Sequence, residues 1–117
     1  MSTPSAILAV ILGIVFLGVG IAKLTRQQGI VDNFERWGYS DALLIATGAV
    51  EVLAAAMLLV GVVLQSLAIT GGLLIVFVLL GALMTHQRAN DRIVLWIPPV
   101  VLLALDVALL VSLLPEG

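Results

Sequence analysis

Two carboxylic acids, Glu51 and Asp106, each interrupt a long apolar stretch of this chain. At membrane depth an ionisable side chain costs at least ~2.5 kcal/mol on insertion-derived scales, so such a group is expected to face inward, to have a partner and to serve a function. Burial disfavours the charged form of a carboxyl, which suits proton exchange or the orientation of a ligand. The plainer alternative is a hydrogen-bonded carboxyl that locks one helix to its neighbours. Both readings stay open at Glu51, where Thr47, one turn earlier, can satisfy part of either role. Asp106 stands among Leu102, Leu103, Leu109, Leu110 and Leu113, which offer no same-helix partner, so it must find one on another helix. If the two carboxyls meet in low dielectric they cannot comfortably both ionise, and a shared proton is expected.

Two basic groups extend the candidate set. Lys23 is either a snorkelling anchor or, turned inward, a neutraliser of Glu51 or a contact for an anionic head. His86 is either a boundary residue bonded to Thr85 or a headgroup, or a proton donor and acceptor for a ligand, since its ordinary pKa lies near neutrality. Glu51, Asp106 and His86 are thus the catalytic candidates, and Lys23, Thr47, Glu51, His86 and Asp106 the ligand-binding ones. No Cys is present, which removes cysteine ligands for iron-sulfur clusters and excludes thiol-disulfide chemistry; with one His a metal site would have to rest mainly on carboxylates, and no metal or haem is indicated.

The elements that must position these groups are apolar helices. Of 117 residues 62% are hydrophobic and 10% charged, a balance that a water-soluble domain of this length does not have. Four stretches approach the ~20 residues that cross a ~30 Å hydrocarbon core. The expectation is an all-α polytopic membrane protein: a single four-transmembrane-helix domain over residues 1–117, with spans near 6–24, 41–64, 66–86 and 93–114. No room is left for a soluble catalytic domain.

The first stretch is expected to be retained rather than cleaved, because Lys23 and Arg26 follow it and no basic residue precedes it. All five Lys and Arg residues fall around the first and third connections. The positive-inside tendency then predicts a multi-pass protein of the cell membrane, with those connections cytoplasmic and both chain ends outside. Arg88 and Arg92 are read as topology and anionic-lipid contacts.

Between the first two spans, Ile30, Val31, Phe34 and Trp37 share one stripe against Asp32, Asn33, Glu35 and Arg36, which predicts a short interfacial helix. Gly38 reads as its stop and Ser40-Asp41 as the next cap. Trp37, Tyr39 and Trp96 are read as interface belts. In the first span, Ala9-Gly13 and Gly18-Ala22 have the four-residue spacing of close helix contacts, and Thr47, Gly48, Glu51, Ala54, Ala55 and Leu58 form one small-residue face of the second. Glu51 lies ~15 Å along its helix from Asp41, and Asp106 ~20 Å from Ile93 if that helix is straight, so the two are expected in one layer. Pro98-Pro99 predicts a kink or a late helix start.

Four segments give the chain a resemblance to a known family: Phe16-Leu-Gly-Val-Gly-Ile-Ala-Lys-Leu24, Phe34-Glu-Arg-Trp-Gly-Tyr-Ser40, Gly48-Ala-Val-Glu51 and Gly81-Ala-Leu-Met-Thr-His86. In these it resembles the DoxX-like family of small four-helix membrane proteins. The resemblance implies four helices and picks out Lys23, Gly38, Glu51 and His86; Asp106 lies outside the pattern. Members are associated with membrane redox assemblies, as quinone-linked or accessory subunits, and with assisting other membrane proteins.

Three functions fit. The first is an accessory or assembly subunit of a larger membrane complex, redox complexes included, packing on other subunits or on itself. The second is a binder or enzyme for a small lipophilic molecule such as a quinone or isoprenoid, using Glu51 and Asp106. A channel comes third, since no hydrophilic stripe lines a pore. The lipid bilayer is the expected environment, and no basic run or phosphate loop indicates nucleic acid or nucleotide.

Overall fold

In the computed structural model, which describes residues 1–115, the chain forms five α-helices and one 3₁₀ turn. Helix α1 spans Thr3–Leu24, α2 Gln28–Trp37, α3 Asp41–Val60, α4 Gln65–Arg88 and α5 Ile97–Ser112, the last preceded by a 3₁₀ turn over Ile93–Trp96. Helices α1, α3 and α4 and the stretch Ile93–Ser112 are each long and apolar enough to cross a membrane. Large apolar side chains such as Ile14, Phe77, Met84 and Val111 cover the outside, which only a lipid environment accommodates. This is the four-span bundle with a short helix between its first two spans that the sequence predicts.

Helix α3 ends at Val60 rather than 64, because Gly61 lies so near the start of α4 that a Cβ there would be 2.4 Å from the Ala68 amide nitrogen. The α-helix of the fourth span starts late, at Ile97, as Pro98 and Pro99 require: they lack amide donors and are tolerated in a first turn but not in a helix interior.

The four long helices form a ring in the order α1, α3, α4, α5, with α5 closing against α1. Helices α1 and α3 make the closest seam, through Gly13 against Ala55 and Leu59 and Gly20 against Gly48 and Val52. These contacts are seven residues apart on each antiparallel helix, two turns along one face. Gly18 is not one of them: nothing lies within 4 Å of where its Cβ would stand, because it faces outward. Ala9, Leu12, Phe16, Ala54, Ala55, Leu58, Ile75 and Leu109 fill the interior.

One end of the bundle is tied by hydroxyls. Ser2 donates to Ser5, Ser5 donates to Ser112 at 2.8 Å and Ser112 donates to the Leu109 carbonyl, which joins α1 to α5. The opposite end holds all five Lys and Arg residues and the short helix α2. Helix α2 ends on Gly38 at φ 80°, where the Tyr39 amide donates to the Phe34 carbonyl and the Gly38 amide to the Glu35 carbonyl. That left-handed cap suits glycine, and it turns Tyr39 back onto the aromatic face of α2.

Candidate functional site

At the basic end, α2 lies across α1, α3 and α4 and encloses a pocket of about 440 Å³. Its walls are Val19 and Lys23 from α1, Ile30, Asn33, Phe34 and Trp37 from α2, Tyr39, Leu43 and Thr47 beside or within α3, and Val78, Gly81, Ala82 and Thr85 from α4. The volume lies within the range of small-molecule sites, and the mostly apolar walls carry a few polar groups, as such sites do. Helix α2 covers it because its apolar stripe must be buried: Val31 and Phe34 are shielded, and with Leu44 they form a small core of their own.

Lys23 turns inward and donates to Glu51. The side chain of Glu51 is 2% exposed and that of Lys23 15%, so the carboxylate is the buried member and the ammonium reaches the pocket wall. Phe34 lies 5.7 Å from the Lys23 nitrogen, within cation–π range. The Lys23 charge is therefore matched from one side by a carboxylate and from the other by a ring face. Glu51 is held where it is by the close α1–α3 seam, since Gly48 meets the Lys23 stem and the Gly20 carbonyl one turn below.

Glu51 and Asp106 do not meet, so the condition for a shared proton is not fulfilled. Glu51 faces α1, whereas Asp106 packs beside Gly72 of α4, and α3 and α5 stand diagonally in the ring. Asp106 is fully buried, and neither carboxyl oxygen has a hydrogen-bond partner among the described residues. Leucine has the same branched shape without the polar atoms. Asp106→Leu is accordingly expected to raise the unfolding free energy by about 1–3 kcal/mol, the mutational cost of a buried uncompensated polar group, as read by denaturant titration in micelles. A loss of stability instead would show that the carboxyl holds a partner of its own.

Thr47 lines the pocket but is not a partner of Glu51, because its hydroxyl donates to the Leu43 carbonyl at 2.7 Å in its own helix. Nor does His86 bond to Thr85. The Thr85 hydroxyl donates to the Gly81 carbonyl, so it is Tyr39 that donates to Thr85, at 2.8 Å. His86 is outside the pocket, behind Trp37, with its Nδ1 2.7 Å from Asp91.

Asp91, which is not among the candidate residues of the sequence, is the centre of this outer cluster. It accepts from Arg36 at 2.6 Å, from His86 and from the Trp37 indole at 3.3 Å, while its carbonyl accepts from Trp96. A left-handed Asn90, φ 54°, closes α4 and brings Asp91 back beside His86, with the Asp91 amide donating to the His86 carbonyl. Trp37 and Trp96 are thus built into a hydrogen-bonded cluster rather than standing free as belts. The signal available in the sequence was density: Phe34, Trp37 and Tyr39 fall within six residues, in a chain with three Phe, two Trp and one Tyr.

Hydrogen bonds from Arg36 and then from His86 hold the Asp91 carboxyl down at about 2, below its ordinary 3.8. A carboxyl lowered on folding contributes stability that is present above the unfolded value and lost as pH falls through the folded one. Between pH 4 and 2 the α2–α4 tie is therefore expected to loosen. Fluorescence of Trp37 and Trp96 should report a transition in that window that is absent from Asp91→Asn.

The sequence was also compared with known proteins. The model of the DoxX-like family matches residues 7–109, a range that contains Lys23, Gly38, Glu51 and His86 together with the aromatic cover of the pocket. No curated protein and no solved structure matches the chain. With most of its length matched by that model, from α1 into α5, the chain belongs to the DoxX-like family.

Proposed function

We propose that this membrane protein binds a small lipophilic molecule of the quinone or isoprenoid class in the pocket beneath α2. The observation that carries the reading is the enclosure of an apolar, aromatic-walled space with a neutralised Lys23–Glu51 pair at its wall and a Tyr39–Thr85 hydrogen bond at its edge. Val19, Leu43 and Val78 suit a tail, and Lys23 and Asn33 offer donors to an oxygen-bearing end. Under the positive-inside tendency the five basic residues put this end of the bundle in the cytoplasm, so the ligand enters from the inner leaflet.

The test is native mass spectrometry of the protein released gently from its own membrane, beside Gly81→Phe. Gly81 lines the pocket and the space at its Cβ is open to other helices, so a phenyl group there is accommodated without displacing the bundle and is placed at the pocket. A bound lipophilic mass that the variant loses is the expected result. A mass present equally in both, or none in either, overturns the reading.

An accessory role is the second reading, favoured by the outward face of α1. There Gly18 is open between exposed Ile14 and Ile21, a surface on which another transmembrane helix can pack closely. Gly18→Leu should then release a co-purifying subunit while leaving the pocket's ligand in place.

A further inference from the structure

The cations at the basic end are not equivalent. Lys23 is paired with Glu51, Arg26 with Asp41 and Arg36 with Asp91. Arg88 and Arg92 have no carboxylate partner among the described residues, and of the two it is Arg88 that borders the pocket end. Arg88 donates one N–H to the Trp37 carbonyl at 2.7 Å, and its guanidinium lies over the Tyr39 ring, 4.6 Å from the centroid. These two contacts fix the plane of the group and leave most of its five donors unused.

Its position relates it to the pocket. A second, shallower groove runs along Tyr39, Gly81 and Thr85, which also wall the main pocket, and continues to Met84, Gln87 and Arg88. The two spaces thus share a wall at Tyr39, Gly81 and Thr85, with an apolar interior on one side and a positively charged groove on the other. Inside, among the described residues, the one cation lining the main pocket is Lys23, already matched by Glu51. The interior suits an uncharged tail, and the groove carries one unmatched positive charge with a fork of donors.

We infer that the pocket's ligand is an amphiphile with a phosphate-type anionic head, its tail beneath α2 and its head on Arg88 and Gln87. This rests on the pocket reading above and selects, within it, an anionic isoprenoid over a neutral quinone. A free anion would gain nothing from the apolar walls, and a neutral lipid would leave the guanidinium fork unused.

The experiment compares geranylgeranyl phosphate with geranylgeraniol, which have the same tail and differ in the head, by native mass spectrometric titration in a neutral detergent. Wild-type protein should prefer the phosphate by about tenfold or more, as one charge-assisted hydrogen-bonded contact supplies. Arg88→Gln should bring the preference close to one and leave alcohol binding intact, which also shows the variant to be folded. Arg88→Lys, retaining the charge, should keep part of the preference, and Gly81→Phe should abolish binding of both probes. Equal binding of the two probes with no effect of Arg88→Gln would overturn the anionic head and leave the lipophilic pocket standing. Binding of neither probe, or binding unaffected by Gly81→Phe, would overturn both.

Discussion

Lys23→Met is expected to lower the unfolding free energy by about 3–4 kcal/mol at pH 7, because it leaves Glu51 buried without its partner. Glu51→Gln is expected to cost less. It leaves an ammonium that is 15% exposed and sits in the last turn of α1, where a flexible stem can carry it to the interface.

The Lys23→Met, Glu51→Gln double variant should recover most of the loss, giving a coupling energy of about 2 kcal/mol in a double-mutant cycle. Denaturant titration in micelles at pH 7 measures all four proteins. Additive effects in the cycle would show that the two side chains do not hold each other.

Gly48→Leu should be at least as damaging, about 3 kcal/mol or more, for a steric reason. A Cβ at Gly48 would sit 2.8 Å from the Lys23 Cβ and 3.0 Å from the Gly20 carbonyl oxygen. One of these contacts is backbone, so a rotamer change cannot relieve it and α1 must move away from α3. The same displacement pulls Lys23 off Glu51. Gly18→Leu on the outer face of α1 meets nothing within 4 Å and should stay within about 0.5 kcal/mol of wild type. Thermal unfolding of the two variants side by side separates helix contact from helix propensity, since both place leucine where a helix had glycine.

Much of the fold was legible because lipid leaves few alternatives. Backbone groups in a hydrocarbon core must bond within their own segment, so four long apolar stretches become four helices. Caps were legible for a similarly local reason: Gly38 needs a positive φ and Ser40 accepts from the Leu43 amide, and both requirements are met within a few residues. The small-residue face of α3 was legible too, as Gly48, Glu51, Ala54, Ala55 and Leu58 are all buried.

The glycines of α1 were harder. Spacing marked Gly18 as readily as Gly13, and only the rotation of α1 about its own axis separates a seam residue from one on the lipid side.

Amino-acid order by itself determined the four spans, the clustering of every Lys and Arg at one end and the presence of two carboxyls inside the bundle, since each follows from the cost of apolar or charged groups in a given solvent. Tertiary structure decided which groups meet. The ring order α1, α3, α4, α5 gave Glu51 to Lys23 and kept Asp106 apart, the Schellman turn at Asn90 brought Asp91 between Arg36 and His86, and α2 folding over α4 made a pocket of residues 19 to 85. Periodicity assigns a residue to a face of its own helix; the neighbour that face meets depends on how whole helices pack, a sum of contacts between segments far apart in the chain.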